Sequence, residues 1–144
     1  MIRKKVWRYY CEYCKKAGGS GFHLKNHELH CTLNPNRECG LHKLAGENTP
    51  DMDILLSILP DPAKYKQTDE FGGENYSADL GEDTEKVMEW LRAAADNCPL
   101  CIMAALRIKG IPVTMIKSFD YKKEFDSQMS EHNNEMNDRY DCIF

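Results

Sequence analysis

The segment CEYCKKAGGSGFHLKNHELHC, residues 11–31, holds two closely spaced pairs of potential metal ligands. Two residues separate Cys11 from Cys14, and three residues separate His27 from Cys31. A structural zinc site takes four thiolate or imidazole ligands, usually as two short-spaced pairs from separate parts of the chain. The segment therefore predicts one complete zinc site made of these four side chains.

Two other histidines compete with Cys31 for the fourth position in this site. His30 follows His27 with only two intervening residues, whereas the usual spacing is about three to five. His23 leaves only eight residues after Cys14. We expect Cys31 to be the ligand, and His30 and His23 stay open as alternatives.

A second set of four ligands lies further along the chain. Cys39 and His42 form the pair CGLH, and Cys98 and Cys101 form the pair CPLC. The 55 residues between the pairs would make this site a long-range clip, which stabilises a small fold chiefly by restricting its unfolded state. The chain is therefore predicted to bind two zinc ions.

The CPLC motif has a rival interpretation as a redox-active dithiol, because a Cys pair at a helix start has lowered thiol pKa values. Thioredoxin-like proteins place this motif directly after a buried strand, whereas Ala93–Ala95 before Cys98 indicate a helix. Zinc binding is therefore preferred, and of the seven cysteines only Cys142 stays unassigned. Because four protein ligands leave no open position for a substrate, we expect the protein not to be an enzyme.

The composition describes a chain with a modest core and a polar surface. Of the 144 residues 42% are hydrophobic and 29% are charged, and the mean hydropathy is −0.62. The sequence has no apolar run of about 18 residues, so we expect no membrane span. The basic start is not followed by the apolar stretch of a secretory signal. We expect reduced thiols and a cytoplasmic location.

Charge divides the chain into two parts. Residues 1–44 carry nine Lys or Arg against three Glu, a net charge of +6. Because the net charge of the whole chain is −4, residues 45–144 have a net charge of −10. We expect a basic zinc-finger-like module and an acidic, mainly helical body, joined by the second zinc site. A basic module indicates an anionic partner, although short zinc modules are also Lys-rich for solubility alone.

The sequence predicts a mostly helical α+β fold, in which a β-hairpin and helix module packs on a helical body. The predicted elements of the module are a strand over 6–14, a glycine-rich turn over 15–21, a helix over 21–31 capped by Ser20, and a turn-rich connection over 32–40. The body is predicted to begin with a helix from Met52 that stops at Pro60, followed by an exposed loop over 60–81. A helix over 81–97 comes next, with Val87, Trp90, Leu91 and Ala94 in the core. After CPLC we expect a helix closed by Gly110, a strand over 111–117, and a helix from Ser118 with Phe119, Tyr121, Phe125 and Met129 towards the body.

CEYC, Leu24 and HELHC together resemble the Cys-Cys-His-Cys variants of nucleic-acid-binding zinc fingers. The longer segment CEYCKK…HELHCTLNPNREC is similar to small zinc-ribbon-like proteins of bacteria and phages. One departure is Gly18, which stands where the finger family has an aromatic residue, and Phe22 is expected to take its place. The finger resemblance implies that Ser20, His23 and Asn26 face bases and that Lys25 reaches phosphate.

Two function classes follow from these patterns. The first is a nucleic-acid-binding or regulatory factor that uses the basic module. The alternative is a protein-interaction module of phage or mobile-element origin, which binds a host protein through the acidic body, including the 60–83 loop and the helix after Ser118. Neither a membrane nor a small-molecule substrate is expected. The candidate nucleic-acid contacts are Arg3, Lys4, Lys5, Arg8, Lys15, Lys16, His23, Lys25 and Asn26.

Overall fold

A computed structural model describes residues 1–76 and 84–141. Within these residues the fold is α+β and mostly helical, as predicted. The helices are α1 (Gly21–His30), α2 (Gly40–Leu44), α3 (Met52–Ile58), α4 (Thr84–Ala94), α5 (Pro99–Lys109) and α6 (Tyr121–Asp141). The strands are β1 (Tyr9–Tyr10), β2 (Ala17–Gly18), β3 (Lys66–Thr68) and β4 (Glu74–Tyr76). No helix in the described part of the chain is both long and apolar enough to cross a membrane.

The N-terminal hairpin is shorter than predicted and turns at a different place. β1 pairs with β2 in antiparallel register, Tyr9 opposite Gly18, so the strand expected over 6–14 spans only two residues. The chain reverses between Cys11 and Lys16, where the Cys11 N–H donates to the Lys16 carbonyl at 2.9 Å. The glycine-rich segment therefore supplies the returning strand, because the cysteine pair itself forms the tight turn.

Helix α1 begins and ends as predicted. The hydroxyl of Ser20 accepts a long hydrogen bond from the His23 N–H at 3.5 Å, which satisfies one of the free donors of the first turn. Leu24 is the buried residue of the helix. Phe22 is 79% exposed, so the expectation that it replaces the missing finger aromatic is wrong, and Leu24 with the cysteines fills that small core instead.

The main core is built by α3, α4 and α5. Leu55, Leu91, Ile102 and Leu106 are fully buried in it. Trp90, expected in this core, is 59% exposed. The buried face of α4 passes through Val87, Met88 and Leu91 and then reaches Ala95 beyond the helix. Trp90 lies at the edge of this face.

Two segments of the body differ from the prediction. The strand expected over 111–117 is a 3₁₀ turn, Val113–Met115, between the buried residues Ile111 and Ile116. The expected loop over 60–81 contains a 3₁₀ turn, Pro62–Tyr65, followed by the β3–β4 hairpin. That hairpin closes where the Asp69 N–H donates to the Gly73 carbonyl at 2.8 Å. The acidic residues of this loop at positions 79, 82 and 83 lie outside the described residues.

Helix α6 is attached to α4 by an ion pair. Both terminal nitrogens of Arg92 donate to the Glu124 carboxylate, each at 2.8 Å. This carboxylate raises the pKa of the Arg92 guanidinium, against the opposing effect of burial. Arg92 also lies over the Phe119 ring, which is buried, and Tyr121 packs on the main core as predicted.

Candidate metal centres

The first cluster brings together the four side chains predicted for the first site. One ligand atom from each of Cys11, Cys14, His27 and Cys31 lies within 4.8 Å of all the others. The Cys14 sulfur is 3.1 Å from Nε2 of His27. The hairpin turn provides the first two residues, and α1 with its C-cap residue provides the other two. Both pairs therefore come from short local structures whose geometry the backbone fixes.

His30 and His23, the alternatives for the fourth position, make other contacts. Nδ1 of His30 lies 3.0 Å from the Glu38 carbonyl oxygen and donates to it. His23 is exposed and contacts the Phe22 ring edge to face, with the ring centroids 5.7 Å apart. The structure thus places Cys31 in the cluster and leaves both histidines outside it.

The pKa values of Cys11 and Cys31 in the first cluster are shifted in opposite directions. Burial acts to raise the pKa of Cys11, but the backbone N–H groups of Cys14 and Tyr13 and the neighbouring thiols donate to its sulfur and lower the pKa overall. Burial raises the pKa of Cys31, and its contacts with Cys14 and Cys11 add to that effect. Three sulfurs this close cannot all be ionised unless a cation lies among them.

The second cluster joins two distant parts of the chain as predicted. Ligand atoms of Cys39, His42, Cys98 and Cys101 all lie within 4.8 Å of one another, and all four residues are buried. The sulfurs of Cys39 and Cys98 are 3.4 Å apart, and Nδ1 of His42 lies 3.6 Å from the Cys101 sulfur. A buried cluster of three thiols and an imidazole is a donor set typical of structural zinc.

Helix starts position the sulfurs of the second cluster. Cys39 is the N-cap residue of α2 and Cys98 that of α5, which has Pro99 in its first turn. The Cys39 N–H donates to the Thr49 hydroxyl at 2.8 Å. Helix N-termini carry partial positive charge, which acts in favour of a metal-bound thiolate at each of these two positions. Helix α2 itself was not anticipated from the sequence.

The side of the His42 ring away from the sulfurs faces a carboxylate. Nε2 of His42 lies 3.5 Å from Oδ2 of Asp96, an arrangement that orients metal-bound histidines in other proteins. Asp96 and Asn97 both have positive φ angles, 54° and 56°, which turn the chain sharply from α4 into α5. Glu47 lies in the same neighbourhood, but it and Asp96 are exposed.

The pKa values of the three cysteines in the second cluster are shifted strongly. The thiols of Cys101 and Cys98 donate to the Cys39 sulfur and lower the pKa of Cys39. The Cys101 thiol acts to lower the pKa of Cys98, but contact with Cys39 and burial outweigh it and raise that pKa to about 11. Contacts with the same two sulfurs raise the pKa of Cys101.

Arg37 also lies at the second cluster, although no spacing or motif predicted it there. It is only 5% exposed, and its Nη1 lies 3.8 Å from the Cys101 sulfur. Its Nε is buried and has no hydrogen-bond partner. Burying a guanidinium is costly unless an anion compensates it. Three thiolates and one neutral imidazole around a divalent cation have one net negative charge, which would compensate this guanidinium.

The spacing of the sulfurs also fits a tetrahedral metal. Two sulfurs bound tetrahedrally at about 2.3 Å from one zinc ion lie about 3.8 Å apart. The 3.4 Å between Cys39 and Cys98 and the 4.8 Å limit for each whole cluster bracket that value. Both clusters could therefore hold a metal ion with small side-chain adjustments. Cys142, the spare cysteine, lies outside the described residues.

The predicted nucleic-acid contacts all lie on the surface of the module. All nine of these side chains are exposed: Arg3, Lys4, Lys5, Arg8, Lys15, Lys16, His23, Lys25 and Asn26. They are carried by the segment before β1, the hairpin and α1. The structure brings Lys16 and His23 together at the rim of one cleft. Of the module's nine cations, Arg37 alone is withdrawn from the surface.

Comparison of the chain with protein-family models, curated proteins and solved structures found no match. The two clusters and the charged surfaces are therefore the basis for inferring what the protein does.

Proposed function

We propose that the protein is a non-enzymatic nucleic-acid-binding factor whose fold is held by two structural zinc ions. The observation that carries this proposal is the pair of four-ligand clusters, each with three cysteines and one histidine. Structural zinc sites have four protein ligands and no open position. The residues that would hold the ions are Cys11, Cys14, His27 and Cys31 in the first cluster and Cys39, His42, Cys98 and Cys101 in the second.

Zinc is the metal best suited to these ligands. Thiolate-rich tetrahedral sites favour zinc or iron–sulfur centres, and an imidazole in each cluster favours zinc. Bound zinc supplies cross-links between chain segments and no redox chemistry. The chain's residues then do the rest: the hairpin turn and helix starts orient the sulfurs, and Arg37 offsets the charge of the second centre.

The redox interpretation of CPLC has less support. Cys98 and Cys101 are both buried, whereas reactive dithiols present an accessible sulfur. The residues before the motif form α4 and a sharp turn, not a strand. Cys39 and His42 complete a four-ligand set around the same two sulfurs. These four side chains together favour a metal centre.

The basic surface supports a nucleic-acid partner. Eight of the nine Lys and Arg in residues 1–44 are exposed, and exposed cations bind phosphates with release of counterions. Arg3, Lys4, Lys5 and Arg8 lie in one continuous segment that precedes the hairpin. That segment adds four exposed cations next to the hairpin.

The test is a titration of the zinc-loaded chain with labelled DNA and RNA at increasing salt. We expect binding at low salt and a linear decrease of log affinity with log salt concentration, with a slope of about −0.9 per duplex phosphate contacted. An affinity that does not change with salt, or no binding at low salt, contradicts the proposal.

A protein partner is the second candidate, and a groove between the end of the basic module and the acidic body favours it. The groove lies between α2 and α6 and has a volume of about 320 Å³. Leu41, Leu44 and Met136 provide apolar surface. Glu131 and Glu135 provide negative charge, which Arg139 offsets in part. A basic amphipathic segment of a host protein would fit this chemistry. Capture of a basic protein by a chain that binds no nucleic acid would support this candidate over the first.

A further inference from the structure

Aromatic side chains on the basic module are exposed to an unusual degree. Trp7 is 86% exposed, Phe22 79% and Tyr10 59%. Large aromatic side chains usually bury most of their surface in a core or an interface. None of these three rings belongs to either cluster of buried residues in the described chain. Their exposure leaves three rings available to a partner.

These aromatic residues alternate with cations along the chain. The segment RKKVWRYY, residues 3–10, holds three aromatic residues and four Lys or Arg. Phe22 is likewise followed by Lys25 on α1. Surfaces that combine cations with stacking platforms bind single-stranded nucleic acids, because unpaired bases expose their faces and the cations follow the phosphates.

Two clefts of the module share one wall, and Trp7 lines the first of them. The first, about 480 Å³, is lined by Val6, Trp7 and Arg8 together with residues 17–19. The second, about 250 Å³, is lined by Lys16 and His23 among others, and again by residues 17–19. Each cleft thus has at least one basic side chain and one ring. Together they offer neighbouring positions for unstacked bases.

Gly19 keeps this wall open. A Cβ at Gly19 would meet no heavy atom within 4 Å, so a side chain can begin there without a clash. Its φ angle is not in the left-handed region. A Cβ at this position is therefore accommodated without backbone strain, and position 19 lines both clefts.

We infer that the module binds single-stranded nucleic acid, with bases stacking on Trp7 and its neighbouring rings while the Lys and Arg side chains contact phosphates. This inference rests on the proposed nucleic-acid function and specifies its ligand. A duplex offers no free base faces to these rings, so the aromatic residues would add nothing to duplex binding.

The test compares Trp7→Ala with Trp90→Ala, since these are the two tryptophans of the chain and both are exposed. The probes are a labelled oligothymidylate of about 12 nucleotides, within the range of known single-strand site sizes, and a two-stranded, blunt-ended duplex of equal phosphate number. We expect Trp7→Ala to weaken oligothymidylate binding about 5- to 100-fold, the effect of losing one stacked base. We expect Trp90→Ala to leave binding unchanged, and Gly19→Leu to weaken it while zinc content stays the same.

The outcomes separate this inference from the proposed function. If both probes bind equally well, or if the two tryptophan variants behave alike, the single-strand inference is wrong while nucleic-acid binding stands. If neither probe binds at low salt, the proposed function and this inference both fail. Loss of zinc from Gly19→Leu would mean that residue 19 supports the fold, and the tryptophan pair then decides alone.

Discussion

Nη1 of Arg37 lies 3.8 Å from the sulfur of Cys101, in the interior of the protein. A buried guanidinium beside a neutral thiol would be uncompensated, and its Nε has no partner. The arrangement becomes favourable when the sulfur is a metal-bound thiolate, because the guanidinium then faces the excess negative charge of the centre. The position of Arg37 thus indicates that the second cluster has a net negative charge when its metal is bound.

Arg37→Met should weaken zinc binding at the second cluster. Residues that contact metal ligands typically contribute about 10- to 100-fold to metal affinity, so the variant should release one of its two ions to a chelator at correspondingly lower concentration. The matched control is Arg107→Met, which removes an exposed Arg that donates to the Thr32 hydroxyl at 2.6 Å and touches neither cluster. Equal zinc retention by Arg37→Met and the wild type would contradict this assignment.

The purified protein should carry two zinc ions per chain. Elemental analysis together with native mass spectrometry measures both the number and the identity of the metal. One ion, or none, in a preparation whose thiols are reduced would contradict the two-site proposal.

Single cysteine variants should empty the clusters separately. Cys11→Ser should lose one ion and leave the body folded, because its ligands lie within residues 11–31 and outside the main core. Cys98→Ser should lose the other ion and destabilise the chain more, since Cys98 lies in the main core and its cluster ties residue 39 to residue 101. Zinc content and thermal unfolding measure the two effects. Loss of both ions in either variant would instead indicate a different pairing of ligands.

Acid should release zinc from the second cluster with a steep dependence on pH. In the metal-free chain near neutral pH, Cys98 and Cys101 keep their protons because both pKa values are raised, whereas the lowered pKa of Cys39 leaves it ionised. Binding must therefore release about two protons, so affinity rises with pH and falls about 100-fold for each unit of acidification.

The Cys11→Ser chain isolates this second cluster for measurement. Proton release on zinc addition, followed in weak buffer, gives the number directly, and competition with a chelator at several pH values gives the slope. Release of no protons would show that Cys98 and Cys101 are not the ligands.

Replacing Lys15, Lys16 and Lys25 together by Gln should flatten the salt dependence of nucleic-acid binding. If each contacts one phosphate, the slope of log affinity against log salt should fall by about two to three units on duplex DNA. The control replaces Lys117, Lys122 and Lys123, which are equally exposed but lie on the acidic body. A similar change in both triple variants would show only a general effect of net charge.

The metal clusters could be predicted because their information is local. Cys11 and Cys14, or Cys98 and Cys101, lie close in sequence whatever the rest of the fold does, and few arrangements use all four pairs. The helices α1, α4 and α5 could also be predicted, because their signals act over a few residues. Ser20 caps α1, the spacing of Val87 and Leu91 indicates α4, and Gly110 ends α5.

Other features depend on contacts that spacing does not encode. Arg37 looks like one more cation of a basic module, and only the folded chain brings it to Cys101, 64 positions away. Trp90 follows the helical period yet lies at the edge of the buried face, because the neighbouring helices cover only part of α4. The strand expected over 111–117 fails for a similar reason: Ile111 and Ile116 bury themselves against α5, with no partner strand in the described residues.

The two clusters differ in when their ligands become available during synthesis. A ribosome makes the chain from its N-terminus, so the first cluster can bind its ion once residue 31 has emerged. Cys39 and His42 must wait until Cys101 has been made. If Cys11, Cys14 and Cys31 already bind the first ion by then, they cannot bind a second ion together with Cys39 and His42. Early loading of the first cluster would therefore protect the newly made chain from assigning its cysteines to the wrong centre.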